Sequence, residues 1–108
     1  MSNNYQHLSG LQNMPIGGGA NPIDAILSER QKTHGDFASC AYLAQTLKSY
    51  MVDSVHGSTL SNSQSLALEM IALKIARILN GNPNHIDDWA DVAGYATLIV
   101  RELEAKPL

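Results

Sequence analysis

Cysteine is nearly missing from this chain, Cys40 being the single one. One thiol excludes an intrachain disulfide and a thiolate metal cluster, suits a reducing cytosol, and leaves Cys40 to be read as a small apolar core residue. Aromatic residues are scarce too, at 6% of the chain, so the core is expected to consist of Leu, Ile, Ala and Met, a palette that favours helices over sheets. Positive charge is in short supply: seven Lys and Arg stand against ten Asp and Glu, for a net charge of -3. That balance excludes a sequence-independent grip on nucleic acid, which needs a basic stripe to neutralise phosphates. No apolar run approaches the ~20 residues of a membrane span. The opening MSNNYQHLSG has no basic start followed by an apolar stretch, so no secretory leader is expected. No segment alternates with a period of two for long enough to make a strand, and 108 residues leave room for one domain.

What is present reads as helices behind an arm. Residues 1–20 hold no sustained period and end in Gly17, Gly18 and Gly19, which are costly to order, so a flexible N-terminal arm is expected. Its Leu8, Leu11, Met14 and Ile16 could pack on a neighbouring subunit. The glycine run lacks the Lys-Ser/Thr ending of a phosphate loop and follows no strand. Asn21 as N-cap and Pro22 at the first helical position predict a helix over 22–33, with Ile23, Ile26 and Leu27 on one face and Gly35 turning the chain after it. Asp36 is placed to cap a second helix over 37–52, striped by Cys40, Leu43, Ala44, Leu47 and Met51. A third helix is expected over 63–79, stopped by NGNPN. A fourth is expected over 86–105, with acids at its start and Arg101 and Lys106 near its end, as the helix dipole prefers. The expectation is an all-α, four-helix domain over 21–108.

The charges of the last two helices carry the chemistry. From 66 to 79 the third helix is apolar on every side except for Glu69, Lys74 and Arg77, the pattern of a central helix whose three charged residues reach water. Lys74 and Arg77 are three apart and share a face; Glu69 lies ~140° round the helix from Lys74. On the fourth helix Asp88 and Asp91 are three apart, Asp87 precedes Asp91 by four, and Tyr95 continues that stripe. The short connection NGNPNH makes the two helices antiparallel neighbours, so the cations are expected to face Asp88 and Asp91. Two readings follow. Either the charges compensate one another, or the acids hold a divalent ion such as Mg²⁺ while the cations receive phosphates. His34, in the HGDF turn, and His85, ahead of the acids, are candidates for a base or a nucleotide contact, with turn and cap roles as the alternative. Trp89 is expected to pack on a neighbouring helix or subunit, and Gly94 to permit close helix approach beside Ala93 and Ala96.

ERQKTHGDF at 29–37, LALEMIALKIARILNGNPNH at 66–85 and DDWADVAGYATLI at 87–99 together resemble a family of small phage and prophage proteins. In that family an Arg, a Tyr/His-Gly-Asp turn, a Lys-x-x-Arg helix and an Asp-x-x-Gly-Tyr helix recur in order. More distantly, the chain resembles the MazG-type all-α nucleoside triphosphate pyrophosphohydrolases. The resemblance implies a four-helix MazG-like bundle that forms dimers or tetramers and holds Mg²⁺ with Glu-x-x-Glu on one helix and Glu-x-x-Asp on another, splitting a nucleotide between its α and β phosphates. Asp88 and Asp91 match the later pair. The earlier pair is altered: Ala72, not a carboxylate, stands three residues after Glu69, and Lys74 occupies the face where acids belong. Glu29 and Asp36 are the acids that could complete the set. On this resemblance, Arg30, His34, Lys74, Arg77 and Tyr95 are the candidates for nucleotide or phosphate contact, and Asp88, Asp91, Asp36 and Glu69 for Mg²⁺. The functional expectation is a phage-encoded accessory protein that binds a nucleotide or a host protein and counters host defence. The alternative is a Mg²⁺-dependent pyrophosphohydrolase. A homo-oligomer in the cytoplasm of an infected or lysogenic bacterium is implied in either case.

Overall fold

A computed structural model describes residues 22–106. The N-terminal arm and the proposed cap at Asn21 lie outside those residues. Four helices are formed: α1 (Pro22–His34), α2 (Phe37–Val52), α3 (Asn62–Asn80) and α4 (Ile86–Ala105). There is no strand among the described residues. The all-α expectation is met, and each helix boundary falls within one residue of its expected place.

Local chemistry accounts for the ends. Asp36 caps α2 as its position suggested, its carboxylate accepting from the Ser39 backbone N–H at 3.2 Å and from the Ser39 hydroxyl at 2.9 Å. α3 begins one residue earlier than expected because Ser61 and Gln64 form a reciprocal capping box: the Gln64 N–H donates to Ser61 Oγ at 3.1 Å, and the Ser61 N–H donates to Gln64 Oε1 at 2.9 Å. His34 extends α1 by one residue before Gly35 takes a left-handed φ of 79°. There the Gly35 N–H closes the last turn on the Gln31 carbonyl at 2.9 Å.

α3 is the central element, packing on α1, α2 and α4, as its apolar character implied. Its Ala76 and Leu73 face α2, where they meet Cys40, Ala44 and Leu43 in a compact apolar cluster. Cys40 is a core residue, as read from the sequence. On another face of α3, Ala67, Lys74 and Ile78 are buried against α4, which presents Asp88, Val92, Tyr95 and Ile99 at helical spacing. Lys74 does not reach water: its residue is only 8% exposed. The long stem lies along the α3–α4 seam and its head finds a carboxylate there, which a helix considered alone cannot reveal.

Trp89, expected on a neighbouring helix or subunit, is not covered by another helix among the described residues, which leaves the subunit. It stays about half exposed, and its indole N–H donates to the Pro83 carbonyl at 2.8 Å, pinning the α3–α4 connection to the first turn of α4. The close helix approach expected at Gly94 is not made among the described residues, where a Cβ would meet nothing within 4 Å. No helix among the described residues is long and apolar enough to cross a membrane.

Candidate functional site at the junction of α1, α3 and α4

Two glycines bring the parts of the junction together. A side chain at Gly35 would collide with the Asn80 backbone, and one at Gly81 with the backbone of Thr33 and His34. The C-terminal ends of α1 and α3 therefore cross in backbone contact, sealed by the Asn82 N–H donating to the Thr33 carbonyl at 2.8 Å. This crossing carries His34 to the end of α3 and the start of α4. The His34 and His85 rings meet edge to face there, with centroids 6.0 Å apart.

Asp88, in the first turn of α4, is 2% exposed, the most deeply buried polar side chain among the described residues. Its Oδ2 has no hydrogen-bond partner, and neither does the buried Nδ1 of His34. The two atoms stand 4.0 Å apart, too far for a hydrogen bond and close enough for one small group to touch both. His34 does not supply a charge to Asp88 at neutral pH. Burial lowers its pKa below 6.5, and Arg77, His85 and Lys74 lower it further, against the opposing pull of Asp88. Burying a carboxylate oxygen without a donor or a cation is destabilising, so the unpartnered Asp88 Oδ2 counts against the fold.

Cations flank it on α3. Lys74 Nζ sits 2.9 Å from Asp91 Oδ2, one helical turn along α4 from Asp88. Arg77, half-buried, makes no ion pair among the described residues, and its field reaches both His34 and Cys40. The expected compensation is thus realised for Lys74 with Asp91 and left open for Arg77. Burial, the largest influence, pushes the Cys40 thiol up, so it stays protonated and takes no nucleophilic part at neutral pH.

The sequence-derived candidates divide accordingly. His34, Lys74, Arg77, Asp88 and Asp91 come to one junction, and Tyr95, half-buried, follows Asp91 one turn later and lines a shallow hollow with Leu66, Leu98 and Arg101. Asp36 spends its carboxylate on the α2 cap, while Arg30 and Glu29 on α1 and Glu69 on α3 are exposed and have no ion pair among the described residues. No three of the described His, Cys, Asp and Glu side chains converge as a group that could hold a metal ion. His85 has the cap position assigned to it but makes no side-chain cap bond; its ring lies against His34 instead. The signal available for that was its place three residues before Asp88, which puts both on the face of α4 nearest α1.

The chain matches a protein-family model described as a domain of unknown function (DUF6378) over residues 20–103. No curated protein and no solved structure matches it.

Proposed function

The chain belongs to the DUF6378 family, and from that premise we propose that it is a binding protein for a phosphate-bearing ligand of nucleotide type, held where α1, α3 and α4 meet. The observation that carries the proposal is the unpartnered, buried Oδ2 of Asp88 facing His34 Nδ1, with an uncommitted Arg77 alongside. A ligand suited to this junction must offer a hydrogen-bond donor to Asp88 and negative charge to Arg77. A nucleotide has both, in its amino or hydroxyl groups and its phosphates, whereas a bare anion would be repelled by Asp88. Neutral His34 can donate or accept at Nδ1.

Titration calorimetry of the full chain against the ribo- and deoxyribonucleoside triphosphates, with Mg²⁺ and with EDTA, tests this reading. Binding that survives EDTA and weakens at least tenfold in Arg77→Ala, on protein whose circular dichroism is unchanged, is the expected result. No heat with any nucleotide at millimolar concentration would sink it.

One observation favours a second reading, the Mg²⁺-dependent pyrophosphohydrolase. Asp88 and Asp91 retain the spacing of the later acid pair, and an unpartnered carboxylate oxygen also suits a hard cation. Asp88 and Asp91 would then hold the ion while Arg77 receives the phosphates. Pyrophosphate release in Mg²⁺ or Mn²⁺ distinguishes this enzyme from a binder. The likeness to MazG enzymes, a phage origin, a host cytoplasm and a part in countering host defence through a host protein belong to this proposal, and they rest on the motif resemblance.

A further inference from the structure

α3 and α4 each carry a second apolar stripe that nothing among the described residues covers. On α3 it is Leu68, Ile75 and Leu79; on α4 it is Trp89, Val100 and Leu103; all six are between 37% and 68% exposed. The two stripes belong to one surface. Leu66 and Leu98 line a common hollow on one flank of the antiparallel pair, and each of the six lies roughly 140–180° round its helix from Leu66 or Leu98. They therefore share the opposite flank. Ala93 and Ala96 lie between Trp89 and Val100 on that side and keep the middle of the α4 stripe low.

We infer that this flank is the interface on which a second copy of the chain docks, two α3–α4 pairs packing face to face across a two-fold axis. Charge is kept away from it. Measured round the helix from the stripe centre, Glu69, Lys74 and Arg77 on α3 and Asp87, Asp88, Asp91, Arg101 and Glu102 on α4 all lie at least ~100° off, with Glu104 alone at the edge. A surface without charge at its centre and flat on the scale of two helices complements itself under two-fold rotation. Its size also fits. With a rise of 1.5 Å per residue and axes 8–10 Å apart, the flank is about 25 Å long and about 20 Å wide, on the order of 500 Å² in projection. The accessible area of a knobbed helix surface exceeds its projection, which brings it towards the ~800 Å² per partner of a stable interface. The arm is the weaker occupant: its large apolar side chains, Met1, Tyr5, Leu8, Leu11, Met14 and Ile16, are strung along one segment of chain, and the flank is two helices broad. The interface does not involve the junction of His34, Arg77 and Asp88, so it stands or falls independently of the proposed ligand.

Trp89 is the sole tryptophan and lies on this flank, so the unmodified chain reports on it. Multi-angle light scattering of the full chain at about 100 μM should return twice 11.7 kDa. On dilution the mass should fall, and the Trp89 emission should shift to the red in step. Val100→Glu and Leu103→Lys should each return 11.7 kDa at about 100 μM, folded or not. A wild-type mass of 11.7 kDa at that concentration overturns the inference, and blue Trp89 emission from such a monomer would give the flank to the arm. A mass change with no change in Trp89 emission, or variants that keep the doubled mass, also overturns it.

Discussion

Asp88 and His34 set the behaviour of the candidate site one atom at a time. Because Oδ2 of Asp88 accepts no hydrogen bond, an amide in its place loses no partner and removes a buried charge. Asp88→Asn is therefore expected to unfold, without ligand, at the same temperature as the wild type or a few degrees above it, while weakening nucleotide binding. A clear fall in the thermal midpoint would show instead that Arg77 and Lys74 already compensate the carboxylate through space. His34 gives a pH signature whose sign follows from its lowered pKa. Below the unfolded value of 6.5 the unfolded chain takes up a proton that the folded chain refuses, so the stability His34 confers is complete above that pH. It is lost as pH falls from 6.5 through the folded value. Thermal midpoints measured between pH 7.5 and pH 5 should fall more for the wild type than for His34→Gln; equal slopes would assign the acid loss to other groups.

The helices, taken as elements, were legible in the sequence because their signals are local. Asp36 before an apolar stripe, Gly35 after α1 and NGNPN after α3 each act on their own few residues, and the helices begin and end within a residue of where those signals stand. α3 shows the margin of error: the run LSNSQS offers several hydroxyls and amides as caps, and only the pairing of Ser61 with Gln64 selects one. The two notable glycines illustrate what local signals leave out. Gly94 carries no mark that separates it from a packing glycine, yet it faces open space, so Gly94→Ala should stabilise the chain by about 1 kcal/mol. Gly35 combines a φ of 79° with the Asn80 backbone against it, so Gly35→Ala should cost more than about 2 kcal/mol. Urea denaturation of the two variants beside the wild type checks both values, and the opposite order would reverse the roles given to these glycines.

At the scale of the whole molecule, helical spacing alone could not say which acid each cation would meet. Lys74 and Arg77 share a face, as do Asp88 and Asp91, but the α3–α4 register joins Lys74 to Asp91 and leaves Arg77 without an ion pair among the described residues, its charge felt at His34. The depth of Asp88 was equally illegible, since it arises from the crossing of α1 over the end of α3, a contact between segments some fifty residues apart. The same limit applies to burial overall. Among the described residues the buried apolar side chains are Cys40, Ala44, Ala67, Ala72, Ala76 and Ile78, and of these only Ile78 is large. Small side chains remove little area from water, at ~25 cal/mol per Å², while every ordered residue costs 1–2 kcal/mol of backbone entropy. If the α3–α4 flank takes a second copy as inferred, it supplies further burial and links unfolding to dissociation. The thermal midpoint is accordingly expected to rise by several degrees between about 1 μM and about 100 μM protein, followed by circular dichroism at 222 nm. A midpoint independent of concentration would mean that the single chain is stable on the packing described, and that Leu79, Trp89 and Val100 remain in water at no cost to the fold.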